Sequence, residues 1–155
     1  MRGKKAPVRM IIGDGKFGNV MVAKFINYLM YDGKKSTAEA VVYSAFEVIA
    51  DKTKKDPVEV FEEAIKKVMP TLEVKSRRVG GANYQIPIPV RNERRLFLGC
   101  KWVLEAARTK KGRPMHLRLA DELIAASEGT GDAFKKKADV QRMAEANRAF
   151  AHFAR

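Results

Sequence analysis

At 155 residues and 46% hydrophobic, the chain can build one core and bury roughly two-thirds of its extended surface, so a single domain over 1–155 is expected. Its 31 Lys and Arg against 18 Asp and Glu leave a net charge of +13, which calls for an anionic partner. No apolar run reaches the length of a membrane span, no charged-then-apolar signal pattern opens the chain, and the single Cys100 can make no internal disulfide, so an intracellular protein with no membrane partner is expected.

In chain order, residues 1–18 read as a basic extended tail and loop, with Arg9–Ile12 as a short strand candidate. Within it, Gly13-Asp14-Gly15-Lys16-Phe17-Gly18-Asn19-Val20 fits the glycine-rich pattern whose amides approach phosphates in dinucleotide-binding domains and kinases. The context for either is missing. There is no second parallel strand and no His-Arg-Asp or Asp-Phe-Gly element, so the stretch is read as a flexible loop. A helix from about Asn19 to Tyr31 carries Val22, Phe25, Ile26 and Leu29 at helical spacing. Ser36-Thr37-Ala38-Glu39 reads as a capping box opening a second helix, with Ala38, Val41, Val42, Ala45, Phe46 and Ile49 on one face through to about Asp51. A third begins at Asp56-Pro57 and buries Phe61, Ala64, Ile65 and Val68 before Pro70.

Residues 71–91 then change period. Leu72 and Val74 alternate with Glu73, Lys75, Arg77 and Val79, while Tyr84, Ile86, Ile88 and Val90 form an apolar row, as on a pleated strand. Gly80-Gly81-Ala82-Asn83 between them accepts the positive φ of a hairpin turn. Pro87 and Pro89 put their missing N–H groups on one edge, which predicts a free-standing two-stranded arm that resists a third strand.

Asn92 is expected to cap a fourth helix carrying Leu96, Cys100, Val103, Leu104 and Ala107, with Arg94, Arg95, Lys101 and Arg108 opposite and Gly112 and Pro114 as its stop. Met115–Glu128 is a fifth, with Leu119, Leu123, Ile124 and Ser127 inward and Gly129 closing it. Asp132 caps a last helix over 132–155, with a thin stripe of Phe134, Ala138 and Met143. The fold class is therefore mainly α: a six-helix domain with one protruding two-stranded antiparallel β-hairpin.

Charge is patterned along these elements. Residues 1–35 hold 8 basic and 2 acidic side chains, 36–70 hold 5 and 7, 71–118 hold 12 and 3, and 119–155 hold 6 and 6. The excess thus sits on the tail, the hairpin and the helix after it, where a polyphosphate explains it best, since neutralised phosphates release counterions. The candidate RNA-binding set is Arg2, Lys4, Lys5 and Arg9 on the tail; Lys34 and Lys35 at a corner; Lys75, Arg77, Arg78 and Arg91 on the hairpin; Arg94, Arg95, Arg108, Lys110, Lys111, Arg113 and Arg118 beyond it; and Lys136, Lys137 and Arg142 near the end. Lys135-Lys136-Lys137 serves equally well as solubilising charge. A DNA-architectural protein is the competing class, but the turn carries no large apolar wedge.

No catalytic constellation competes with these surfaces. His116 and His152 are too isolated for a metal set, and Glu62-Glu63 and Asp121-Glu122 read as solvated helix faces, so no enzyme activity, metal or cofactor is expected. Trp102 and Tyr84 could stack on bases, although Trp102 is better placed to pack at its helix margin.

The segment Leu72–Pro87, with Glu-Val-Lys-Ser-Arg-Arg-Val-Gly-Gly-Ala-Asn-Tyr-Gln-Ile-Pro at its heart, resembles the signature of the family of small-subunit ribosomal protein seven, bacterial type. Phe25-Ile26-Asn27 with Met30 and Asp32-Gly33-Lys34-Lys35, Trp102 with Glu105-Ala106-Ala107-Arg108, and Arg142–His152 agree in order along the chain. The chain departs from the family pattern at Ile12-Gly13-Asp14-Gly15, at Pro89, at Gln141 and at Phe153-Ala154-Arg155. The resemblance implies a helical, non-catalytic structural component of the small ribosomal subunit that binds the 3′ major domain of its RNA and initiates assembly of the head. It further implies neighbouring ribosomal proteins as partners, a hairpin tip (Gly80, Gly81, Ala82, Asn83, Tyr84) near messenger RNA and the exit-site transfer RNA, and a location on the ribosome in the cytoplasm, with an organellar ribosome as the alternative.

Overall fold

The structure, a computed structural model, describes residues 3, 6, 7 and 9–154. Among them the order is α1 (Val20–Leu29), α2 (Lys35–Thr53), α3 (Pro57–Val68), β1 (Leu72–Val79), β2 (Ala82–Pro89), α4 (Asn92–Thr109), α5 (Met115–Glu128), α6 (Gly131–Ala146) and a closing 3-10 segment, Arg148–Ala154. The mainly helical class with one antiparallel hairpin is what the sequence predicts. None of these helices is long and apolar enough to cross a membrane.

The core is built from the stripes that set the helical period. Val22, Phe25, Ile26 and Leu29 of α1, Val42, Ala45, Phe46 and Ile49 of α2, and Phe61, Ala64, Ile65 and Val68 of α3 are buried in one cluster with Leu119 and Leu123 of α5. Phe25 and Phe46 both meet Phe61, with ring centroids 5.1 and 5.6 Å apart. Helix α4 closes the cluster from a second side through Cys100, Val103, Leu104 and Ala107. Trp102 is buried with them rather than lying at the margin. Burial pushes the Cys100 thiol up to about 12, which makes it an inert small hydrophobe.

The helix starts differ from expectation at three places, each for a local reason. Ser36 does not cap α2, because Asp32 and Gly33 take positive φ (51° and 71°) and wind the chain into the helix early, at Lys35. Asn92 lies inside α4 instead of capping it; Arg91 holds the extended cap position without a side-chain bond. Asp132 lies inside α6, whose start is served from α5: Glu122 Oε1 accepts the Ala133 amide at 2.9 Å. Glu122 is fully buried, not on a solvated face, and its other oxygen accepts from Lys110 Nζ. Gly131, at φ 88°, leaves room for that carboxylate; a Cβ there would stand 2.9 Å from Glu122 Oε1. Predicted starts that hold are Asn19 for α1 and Asp56 with Pro57 for α3, and Gly129 closes α5 in the left-handed region.

The phase of α6 also differs. Ala133 and Ala144 are its buried residues, while Ala138 is exposed and Met143 about half exposed. The helix ends at Ala146, and the 3-10 segment folds back instead of prolonging it.

The hairpin register runs from Leu72 opposite Pro89 to Val79 opposite Ala82. Only Gly80 and Gly81 form the turn, with φ 58° and 92°, the double positive φ that matches the twist of the flanking strands. Counting out from that turn, Pro87 and Pro89 fall in the pairs that exchange no backbone hydrogen bonds, so their missing N–H groups cost the ladder nothing. The arm does not stand alone: α6 packs on β1 and the 3-10 segment on β2. Pro87 and Ile86 are accordingly buried.

Candidate nucleic-acid interface

The glycine-rich loop was the one stretch with a nucleotide-site pattern, and its geometry closes that reading. Asp14 Oδ2 accepts the amides of Lys16 and Phe17 at 3.1 and 2.9 Å, and Oδ1 accepts Asn19 N at 2.9 Å. The Tyr43 hydroxyl donates to the same carboxylate at 3.3 Å. The amides that would cradle a phosphate already hold an anion of the protein, and a Cβ on Gly13 would stand 2.3 Å from Gly18 O. The loop is thus hydrogen-bonded and closed rather than flexible, and Arg9–Ile12 forms no strand. Asp14, a residue to which the sequence reading gave no role, is its organiser. Burial first, and then the charge and hydrogen bond of the facing Asp14 carboxylate, push the Tyr43 phenol above its ordinary value.

The candidate cations divide by what they touch. Arg2, Lys4 and Lys5 lie outside the described residues. Arg9 on the tail, Lys75 and Arg78 on the hairpin, Arg91 at its base, Lys111 after α4 and Lys136 on α6 are exposed. None of these six side chains makes an ion pair or hydrogen bond among the described residues. Lys34 lines a groove at the α1–α2 corner, and Lys35 makes only a loose 3.8 Å pair with Glu39. Arg142 reaches Asp139 at 3.8 Å with both side chains largely in solvent.

The others are built into the protein. Arg94 Nη2 and Nε bind Glu73 at 2.8 and 3.3 Å while its guanidinium lies 5.1 Å from the Phe97 ring centre. That hydrogen bond, with the Arg94 charge behind it, holds the Glu73 carboxyl below the usual carboxylate range. Arg95 Nε donates to Pro70 O at 3.1 Å. Arg108 Nη2 donates to Leu29 O at 3.1 Å and its guanidinium stacks 4.3 Å from the Tyr31 ring centre. Arg118 Nη1 donates to Lys110 O and weakly to Arg108 O, tying the α4–α5 connection. Arg113 pairs with Asp121 at 3.0 Å. Lys137 Nζ donates to Lys67 O at 2.6 Å, and burial, aided by the Arg95 charge, lowers its pKa.

Arg77 Nη1 donates to Phe153 O at 2.6 Å. On the same hairpin face Tyr84 meets Phe150 and Phe153, with ring centroids 5.0 and 5.6 Å apart. Tyr84 is therefore packed under the 3-10 segment, whereas Gly80, Gly81, Ala82 and Asn83 are exposed at the tip. The two phenylalanines went unread in the sequence; their three-residue spacing after Asn147 was the available signal.

Among the described residues, no group of three or more His, Cys, Asp or Glu could hold a metal ion. What the fold presents is a helical scaffold with separate exposed cations on the tail, corner, hairpin and α4 base, the surface of a ribonucleoprotein component.

The family is shown by comparison with known proteins. The model for "Ribosomal protein S7p/S5e" matches residues 1–148, and the chain belongs to that family. It is 57% identical over 153 residues to a small ribosomal subunit protein uS7 of Thermotoga petrophila and 58% identical to that of Thermotoga maritima, covering 99% of both chains in each case. It is also 58% identical over 152 residues to the uS7 protein of Cupriavidus necator, covering 98% of this chain and 97% of the relative. Membership makes the chain a non-enzymatic structural component of the small ribosomal subunit, an RNA-binding protein of translation that belongs to the ribosome in the cytoplasm.

Proposed function

We propose that the chain binds the 3′ major domain of small-subunit ribosomal RNA, and that in doing so it initiates assembly of the subunit head. Its observation is the division of the cations. Lys75, Arg78, Arg91, Lys111, Lys136 and Arg9 are exposed and unspent, while the cations beside them are consumed by protein acceptors. The tail, including Arg2, Lys4 and Lys5, and the Lys34-Lys35 corner join them in neutralising phosphates. The core of α1–α5 sets the spacing between these surfaces, so a bound RNA junction is fixed in one arrangement. Arg77, Arg94, Arg95, Arg108, Lys110, Arg113, Arg118 and Lys137 support these surfaces by positioning backbone and neighbouring cations, while Arg142, largely in solvent, is left with the exposed cations. The domain acts as one RNA-binding unit, its exposed hairpin tip lying near messenger RNA and the exit-site transfer RNA, with neighbouring ribosomal proteins as further partners. Recognition is by shape, phosphate and 2′-hydroxyl contacts, as for structured RNA in general.

The test is binding of the full chain to a 3′-domain RNA fragment across a salt series, with duplex DNA as competitor. With about eight phosphate contacts, affinity falls about a thousandfold or more between roughly 50 and 200 mM salt. Binding that DNA cannot displace supports the reading. Equal displacement by DNA reduces the chain to a general polyanion binder.

A further inference from the structure

Where α1 ends and α2 begins, the surface opens into a groove of about 500 Å³. Leu29, Met30, Ala38, Val41 and Met115 form an apolar floor. Its rim is cationic: Lys34, Arg108 and Arg118 line it, and no carboxylate is among the described residues that do. Tyr31 forms one wall and is 65% exposed although Arg108 covers one of its faces at 4.3 Å. The other face is therefore open. Arg108 and Arg118 are both anchored on backbone carbonyls, so this wall is held in place before any partner arrives.

The occupant must satisfy two demands together, an apolar floor and an uncompensated positive rim. An apolar peptide side chain meets the first and not the second; an acidic one does the reverse. A nucleotide meets both, through the flat face of its base and its phosphate, and unstacked RNA bases characteristically lie on aromatic rings and arginine planes. The volume falls within the range of about 300–1,000 Å³ usual for small-ligand sites, which admits a base with its ribose. We propose that this groove takes an unstacked base of the bound RNA, with Tyr31 as its stacking wall and Lys34 on its phosphate. The proposal rests on the RNA-binding reading above and adds to it a contact of a different physical kind: stacking in place of charge neutralisation.

That difference supplies the test. Tyr31→Ala removes the wall and Thr37→Trp fills the groove from its exposed edge; neither changes charge, and both positions are exposed, so circular dichroism and melting are expected to match the parent. Each is titrated as the full chain with the 3′-domain RNA fragment across salt, beside Tyr31→Phe, which keeps the ring. The expected result is about tenfold weaker binding for Tyr31→Ala and Thr37→Trp with a salt slope changed by no more than about one, the single Lys34 contact, and parental binding for Tyr31→Phe. Parental affinity in both altered variants overturns the proposal and leaves the groove to a neighbouring protein. A loss in Tyr31→Ala alone also overturns it, since the ring then acts outside the groove. A slope shallower by more than about one overturns it as well, because the loss is then one of phosphate contacts beyond that of Lys34. Failure of the unaltered chain to bind this RNA is a separate outcome that overturns the RNA reading itself.

Discussion

Around the start of α5, Lys110 ends on the buried Glu122, Arg113 on Asp121 and Arg118 on the carbonyls that close α4. On the hairpin and at its base, Lys75, Arg78 and Arg91 carry the same charge into solvent with no side-chain acceptor among the described residues. The two regions are indistinguishable in sequence, since both are runs of Lys and Arg with few acids between them. What separates them is whether the fold brings a carboxylate or an orphan helix carbonyl within reach. The first group holds helices together, and the second is the one the proposed function assigns to phosphate.

Removing the buried partner should produce the largest effect. Glu122→Ala takes away the acceptor for Ala133 N and for Lys110, and with it the start of α6; a loss of about 3 kcal/mol of unfolding free energy is expected from a lost cap and a charge-assisted hydrogen bond. Urea denaturation measures it, and RNA binding by the molecules that remain folded should keep its salt slope. Asp14→Ala should cost about 2 kcal/mol, because three loop amides lose their acceptor, and it should not yield ATP binding by titration. On the other side of the comparison, joint Lys75→Ala, Arg78→Ala and Arg91→Ala should weaken RNA binding tenfold or more. Its salt slope should drop by about one per lost contact, while stability stays within about 0.5 kcal/mol.

The smallest effect belongs to the pair between the two regions, Arg94 with Glu73. Arg94 holds the folded Glu73 pKa below the unfolded value of about 4.3, so the pair's contribution is present above that value and fades as pH falls through the lower folded one. Asp121, lowered by Lys52 first and Arg113 next, behaves in the same direction. Both pairs are partly solvated, so Arg94→Ala should cost no more than about 1 kcal/mol near neutrality, and the share due to Glu73 should be gone once Glu73 is protonated, leaving only the contact with Phe97. Denaturation midpoints of parent and variant across pH would show the gap narrowing toward acid.

Much of this architecture was legible because its signals are local. The stripes of α1, α2 and α3 name their own buried faces, Asp56-Pro57 announces a helix start, and Gly80-Gly81 announces a tight turn. The misreadings arise where a distant partner decides. Ser36 looks like a cap until Asp32 and Gly33 turn the chain early; Asp132 looks like a cap, but the acceptor comes from Glu122 on another helix. The hairpin looks isolated until Phe150 and Phe153, some seventy residues on, fold over Tyr84. The candidate interface suffered the same way: net charge marked segments, but it could not show that Lys110, Arg113, Arg118 and Lys137 are occupied within the protein.

The most direct measurement compares salt slopes for RNA binding between two charge-matched variants, Lys75→Ala/Arg78→Ala/Arg91→Ala and Lys110→Ala/Arg113→Ala/Lys137→Ala, using the 3′-domain fragment and confirming that each is folded. A slope shallower by about three in the first and near the parent's in the second is the predicted result. Equal reductions, or a flat salt response in the parent chain, would contradict the division of cations on which the account rests.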